Sequence, residues 1–145
     1  MLFVSRPSCI KRLLVIEDDP LVAFDNERTL QHGGYHVVAT VDSGEAAIAV
    51  FASQHVDAIV LDLDLAGGMT GREVARIARD RDIAVLLVTG QCPADAADIA
   101  LACLEKPHSA SALLHALRAV ETMTCQKKPP RKVSGLTIFW RPEAA

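Results

Sequence analysis

Five short apolar runs recur along the chain, and the segments between them carry helix signals. The runs are built from Val, Ile, Leu and Ala and are apolar on both faces. That pattern belongs to a parallel sheet covered by helices on both sides. Right-handed crossovers between successive strands make such a sheet doubly wound. The fold class read from the sequence is therefore α/β, with five parallel strands.

The run boundaries are marked by local chemistry. Leu13-Leu14-Val15-Ile16 stops at Glu17-Asp18-Asp19, and Pro20 suits the first turn of a helix. Gly33-Gly34 would end that helix. Tyr35 to Val41 reads as the second strand. Asp42 and Ser43 are N-cap candidates, with Glu45 placed three residues after Asp42 as in a capping box. Ala58 to Leu61 is the third run and ends at Asp62. A glycine-containing loop leads to Thr70, which with Glu73 forms a second capping-box pattern. Ile83 to Val88 ends at Thr89-Gly90. Only a short fourth helix fits between Gln91 and Ile99. A fifth strand near Ala100 to Leu104 ends at Glu105-Lys106-Pro107, and the last helix carries Leu113, Leu114, Leu117 and Val120 on one face.

A chain of 145 residues suits one compact domain. The boundaries divide it into an N-terminal extension (residues 1–10), an α/β domain (11–120) and a C-terminal tail (121–145). The tail holds five Lys/Arg against two Glu, net +3, while the whole chain is −3, so the body carries −6. Within the tail, residues 126–132 read as a linker or exposed segment. Gly135 to Trp140 reads as a small extra strand or an apolar anchor. No apolar run reaches the roughly eighteen residues of a membrane span. The stretch from Met1 to Lys11 lacks the apolar centre of a secretory signal, so a cytoplasmic location is expected. Cys9, Cys92, Cys103 and Cys125 are scattered, with no CxxC pair and no zinc-ligand spacing. Free thiols are the expectation for a cytosolic chain.

Ligands of an open parallel sheet bind beyond the carboxyl ends of its strands. Here those ends carry Glu17, Asp18 and Asp19 on the first strand, Asp62 on the third, Thr89 on the fourth and Lys106 after the fifth. A carboxylate can act as a nucleophile and become an aspartyl phosphate. Crowded carboxylates call for a cation, and Mg²⁺ suits oxygen ligands. A lysine neutralises a phosphoryl oxygen as a point charge, and a threonine hydroxyl donates a hydrogen bond. Acidic residues at a strand end are also common in plain solvated loops. It is the joint placement that points to phosphoryl chemistry.

These residues resemble the receiver domains of two-component response regulators over about residues 11 to 120. LLVIEDDP is similar to the family's first strand and acidic pair, AIVLDLDL to its third strand, LLVTG to its fourth, and LEKP to its Lys-Pro signature. The resemblance implies Asp62 as phosphoacceptor, Thr89 as the hydroxyl and Lys106 as the phosphate-binding lysine. It implies a Mg²⁺ site at Glu17, Asp18, Asp62 and the backbone carbonyl of Asp64. It also implies a cis peptide at Lys106-Pro107 and the strand order 2-1-3-4-5. Several departures stand out. The loop after Asp62 is glycine-rich, one residue longer than usual and without its usual proline. Cys103 stands where the family has a switch aromatic, and the fourth helix is short. These features look similar to an atypical receiver subgroup of alphaproteobacterial stress signalling.

The function implied is a phosphorelay switch. It would take a phosphoryl group from a histidine kinase or phosphotransfer protein and signal by protein–protein contact, with no enzymatic turnover beyond its own phosphorylation and dephosphorylation. Two rivals are a degenerate receiver that binds partners without phosphorylation and a DxD-type phosphohydrolase built on Asp62 and Asp64. The basic residues Lys127, Lys128, Arg131 and Lys132 could touch nucleic-acid phosphates. A solvated linker, or a strap on the acidic body, is the expectation instead.

Overall fold

A computed structural model describes residues 8–142. The strands are β1 (Arg12–Ile16), β2 (His36–Val41), β3 (Ala58–Asp62), β4 (Ala84–Thr89), β5 (Ala102–Glu105) and β6 (Leu136–Ile138). The helices are α1 (Pro20–His32), α2 (Gly44–Ser53), α3 (Gly71–Asp80) and α4 (Ala110–Cys125). They build one sheet in the order β2-β1-β3-β4-β5-β6. The first five strands are parallel, as the apolar runs require, and β6 is antiparallel to β5. The sheet is the doubly wound one expected, with an added strand at its edge.

Each face of the sheet carries its own core. Leu14, Ile16, Ile59, Leu61, Val85 and Leu87 meet Ala47 and Phe51 of α2 and Val74, Ala75 and Ala78 of α3. Leu13, Val15, Val60, Leu86 and Val88 meet Leu30 of α1 and Leu113, Ala116, Leu117 and Val120 of α4. Adjacent residues of β1 thus bury in opposite cores, so its run shows no polar alternation. Truncating one of these Leu or Ile side chains to Ala would cost about 2–5 kcal/mol. The segment before β1 and the tail also join the second core, through Ile10, Leu136, Ile138 and Trp140.

Local chemistry explains the element ends. Asp19 caps α1, its Oδ1 accepting from the amides of Leu21 and Val22, and Pro20 opens the helix. Thr70 and Glu73 form the expected capping box of α3. The capping box expected at Asp42 and Glu45 does not form. Ser43 is the N-cap of α2, and the Glu45 carboxylate instead accepts from the amide of Met69. Between β4 and β5 the only helical turn is a 3₁₀ turn at Ala96–Asp98. Residues 121–125 continue α4 rather than starting a tail.

One feature differs from the sequence reading more sharply. The four cysteines are not free thiols: Cys9 bonds to Cys125 and Cys92 bonds to Cys103. Sequence separations of 116 and 11 residues carried no spacing signal, because the fold brings the partners together. The tail, for its part, turns back and closes the open edge of β5, with Glu105 donating to the carbonyl of Gly135 and Phe139 to that of Leu101. That pairing removes an exposed sheet edge. Residues 1–7, most of the 1–10 extension and of the stretch read for a signal sequence, lie outside the described residues. Among the described residues, no helix is long and apolar enough to cross a membrane.

Candidate functional site

The carboxyl ends of β1, β3, β4 and β5 converge at one edge of the sheet. Asp62 ends β3 and is almost fully buried, as are Glu17 after β1 and Thr89 at the end of β4. The Asp62 Oδ1 accepts a hydrogen bond from the amide of Asp64 at 2.9 Å. Carboxylate oxygens of Glu17, Asp18 and Asp62 lie within 4.8 Å of one another. Asp64 places its backbone two residues beyond Asp62. Its carboxylate faces β4 instead, where Oδ2 accepts from the Thr89 hydroxyl at 3.1 Å.

Lys106 directly follows β5 and is joined to Pro107 by a cis bond, and its amide donates to the carbonyl of Thr89. Its ammonium donates to Glu17 Oε1 at 2.7 Å and stands 3.4 Å from Asp62 Oδ2. One lysine therefore serves two buried carboxylates. Burial, and then the neighbouring Asp62, push the Glu17 carboxyl up to about 7, although Lys106 and the Asp19 amide pull the other way. For Lys106, burial favours the neutral amine, but the hydrogen bond to Glu17 and the charge of Asp62 outweigh it and hold its pKa above the ordinary lysine value. Three convergent carboxylates with excess buried negative charge make a hard-oxygen donor set that a small divalent cation such as Mg²⁺ fits.

The loop after Asp62 is fastened by acids from two neighbouring elements. Ala66 donates to Asp18 Oδ2 at 3.1 Å, and Met69 donates to Glu45 Oε1 at 2.9 Å. Gly67 takes a left-handed conformation at φ 107°, which explains one of the loop's glycines. Gly71 is needed for contact: a Cβ there would sit 2.6 Å from the carbonyl oxygen of Leu63. Glu45 is a site residue that the sequence reading assigned to helix capping. Its long-range partner in the loop left no local signal.

All of Glu17, Asp18, Asp62, Thr89 and Lys106 are brought together as the strand-end argument requires. Thr89 is turned toward Asp64 and, at 3.5 Å, the carbonyl of Gln91. Cys103, at the position of the usual switch aromatic, is fully buried and bonded to Cys92 in the loop after Thr89.

A family model described as the response regulator receiver domain matches residues 13–118. The chain belongs to that family. The receiver domain protein of Methanospirillum hungatei JF-1, described as CheY-like, superposes with a TM-score of 0.73 at 20% identity, covering 82% of this chain and 99% of that one. The chemotaxis response regulator CheY4 of Vibrio cholerae gives a TM-score of 0.68 at 25% identity, with 77% and 98% covered. The transcriptional regulatory protein YvrH of Bacillus subtilis (strain 168) is 34% identical over 68 residues, 47% of this chain. This receiver spans only 28% of that relative's length, so the relative's role as a regulator of transcription stays with the relative. Membership makes the chain a receiver domain of two-component signalling, a family that works through a phosphoacceptor in an acidic pocket.

Proposed function

We propose that this receiver takes a phosphoryl group from a phosphohistidine of a histidine kinase or phosphotransfer protein onto Asp62. The carrying observation is that Asp62 and Glu17, both buried, share the single ammonium of Lys106. In the transfer, an Asp62 carboxylate oxygen attacks phosphorus, the N–P bond breaks, and the imidazole leaves with the bonding pair. Mg²⁺ held by Glu17, Asp18, Asp62 and the Asp64 carbonyl would neutralise the incoming phosphoryl oxygens. The chain's own part is positioning and charge. The Asp64 amide fixes one Asp62 oxygen, Lys106 stands ready on the other, and Thr89 can exchange Asp64 for a phosphoryl oxygen.

The donor's docking side is supported by α1, where Leu21 and Phe24 are 77% and 55% exposed and Phe24 lines the cavity that Glu17 and Asp18 share. Large apolar side chains held out of the core in this way suit a partner's apolar face. The reading places donor and receiver together in the cytoplasm. It assigns the domain no turnover of metabolites, and its output is a protein contact through the segment after Thr89. Nucleic acid is not its partner in this reading.

The test is incubation with a small-molecule phosphodonor and Mg²⁺, followed by intact mass. Wild type should gain one phosphate-sized adduct and Asp62→Asn none. A folded wild type that gains nothing, or an Asp62→Asn variant labelled as well as wild type, rejects the assignment.

A further inference from the structure

The Cys92–Cys103 bond lies beside the phosphoacceptor pocket but has no part in the reading above. Cys103 sits in the middle of β5, paired in register with Leu87 of β4 and Thr137 of β6, and is fully buried. Cys92 is partly exposed and lies three residues after Thr89, in a stretch with no regular structure. Oxidised, the bond ties that stretch directly to the sheet. Residues 90–92 are then anchored at both ends, by β4 on one side and by the sulfur bridge on the other.

The other restraints on this region are weaker or lie further along. Ala96 and Ile99 are buried in the core and hold the later residues. Asp95 pairs with Arg72 at 2.5 Å, but both side chains are substantially exposed, and such pairs add little. Gly90 and Gln91 are exposed. With the S–S bond broken, residues 90–95 would be held by the packing of Cys92 on the core, the Ala96 amide on the Pro93 carbonyl and the Asp95–Arg72 pair rather than by a covalent tie, while the core beneath stays packed. Thr89 belongs to the same short span, since its hydroxyl reaches the carbonyl of Gln91.

We propose that Cys92 and Cys103 form a thiol–disulfide redox site whose state sets the mobility of residues 90–95, and through them how freely Thr89 can turn toward a group on Asp62. The oxidant class is a small-molecule disulfide and the reductant class a dithiol. In oxidation the Cys92 thiolate, the exposed member, attacks the small disulfide. A mixed disulfide forms and one small thiolate leaves. The Cys103 thiolate then attacks the Cys92 sulfur, and the second small thiolate leaves. Two protein thiols are oxidised, one external disulfide is reduced, and the two protons go to the departing thiolates at neutral pH. A dithiol reverses both steps. Burial restricts Cys103 to the intramolecular step, so the pair takes part in exchange without leaving a stable external adduct. In the reducing compartment that the proposed function assigns, a disulfide with a partly exposed member such as Cys92 is open to exchange and suits a transient, sensing role. The coupling to Thr89 rests on that functional reading; the redox site itself does not.

The full chain would be treated with glutathione disulfide or with dithiothreitol, then alkylated and mapped by peptide mass. Hydrogen exchange of residues 90–101 would be followed in both states without any phosphodonor. The expected result is protection of Cys92 from alkylation after oxidation, with exchange near residues 90–95 slower by about tenfold than in the reduced protein. Cys92→Ser should show the faster exchange in both buffers. Its melting curve would establish that the variant is folded, and wild type alone still decides the question if it is not. Continued alkylation of Cys92 after oxidation, or equal exchange in the two states, would overturn the proposal. With Mg²⁺ and a small-molecule phosphodonor, the lifetime of the adduct should differ between the two states, and equal lifetimes remove the coupling. If neither state takes up phosphate, the phosphoacceptor reading fails together with the coupling, while a difference in exchange would still establish the redox site.

Discussion

Lys106 gives its short hydrogen bond to Glu17, at 2.7 Å, and stands 3.4 Å from the proposed phosphoacceptor Asp62. In this arrangement the ammonium does part of a cation's work, compensating the negative charge buried at the carboxyl end of the sheet. Metal binding and phosphorylation must both redistribute that charge, and Lys106 is free to turn from Glu17 to a phosphoryl oxygen without leaving the pocket.

Replacing Lys106 with Ala should therefore separate two properties. Mg²⁺ affinity should hold or rise, because the ammonium no longer competes for Glu17. Adduct formation on Asp62 should slow by about 10²-fold, the usual effect of losing a charge-stabilising group at a reacting centre. Calorimetric Mg²⁺ titration and a mass time course measure the two separately. An adduct rate equal to wild type would remove Lys106 from the phosphoryl site.

The raised Glu17 carboxyl makes the metal-free fold sensitive to pH. In the folded protein it titrates at about 7, against an ordinary value of 4.5. The folded state thus keeps a proton that the unfolded chain releases. Stability falls wherever the folded state holds more protons and pH is rising. The metal-free domain should lose stability as pH climbs from about 4.5 to about 7, then level off. Mg²⁺ selects the ionised form, so its affinity should climb over the same window and its stabilising effect should be largest above it. Urea melts across this range, in chelator and in Mg²⁺, provide the check. Metal-free stability that rises through the window would contradict the assignment.

The strands and the strand-end residues were legible because each is encoded locally. Apolar runs such as Leu13 to Ile16 and Ile83 to Val88 mark strands, and a parallel sheet places their ends on one edge. Lys106 and Glu17 meet because of that rule, although they are 89 residues apart. What stayed hidden depends on tertiary approach. Glu45 sits at the right spacing to cap its own helix, yet its carboxylate serves the Met69 amide across the loop. The cysteine pairs have no spacing rule, and only the closeness of α4 to the segment before β1, and of residue 92 to β5, makes them partners. The tail's return to β5 was one of two readings of Gly135 to Trp140, and pairing with an open strand edge decides between them.

Gly71 links the loop after Asp62 to α3 through the closest of the glycine approaches near the site. A Cβ there would meet the Leu63 carbonyl oxygen at 2.6 Å, and both partners are backbone, so neither can swing aside. Gly71→Ala should cost about 1–3 kcal/mol, as other overpacked sites do, and should displace Leu63 next to Asp62. Phosphate uptake should slow even at temperatures where the variant is fully folded. Melting curves and the mass assay test both effects, and a variant with wild-type stability would show that the loop relaxes freely.

The Cys9–Cys125 bond offers the contrasting case. Cys9 precedes β1, so the bond lies at the amino end of the sheet, opposite the acidic pocket, and joins the segment before β1 to the end of α4. The amide of Cys9 also donates to the Cys125 sulfur at 3.1 Å, so the two segments are in contact beyond the covalent link. A cross-link over so long a stretch of chain acts mainly by restricting the unfolded ensemble. Cys9→Ser with Cys125→Ser should lower stability by about 2–4 kcal/mol and leave the phosphorylation rate of the folded protein unchanged. Denaturant melts of the double variant, with dithiol absent, measure the first effect, and intact mass measures the second. A large change in phosphorylation with little change in stability would reverse the roles given to the two disulfides.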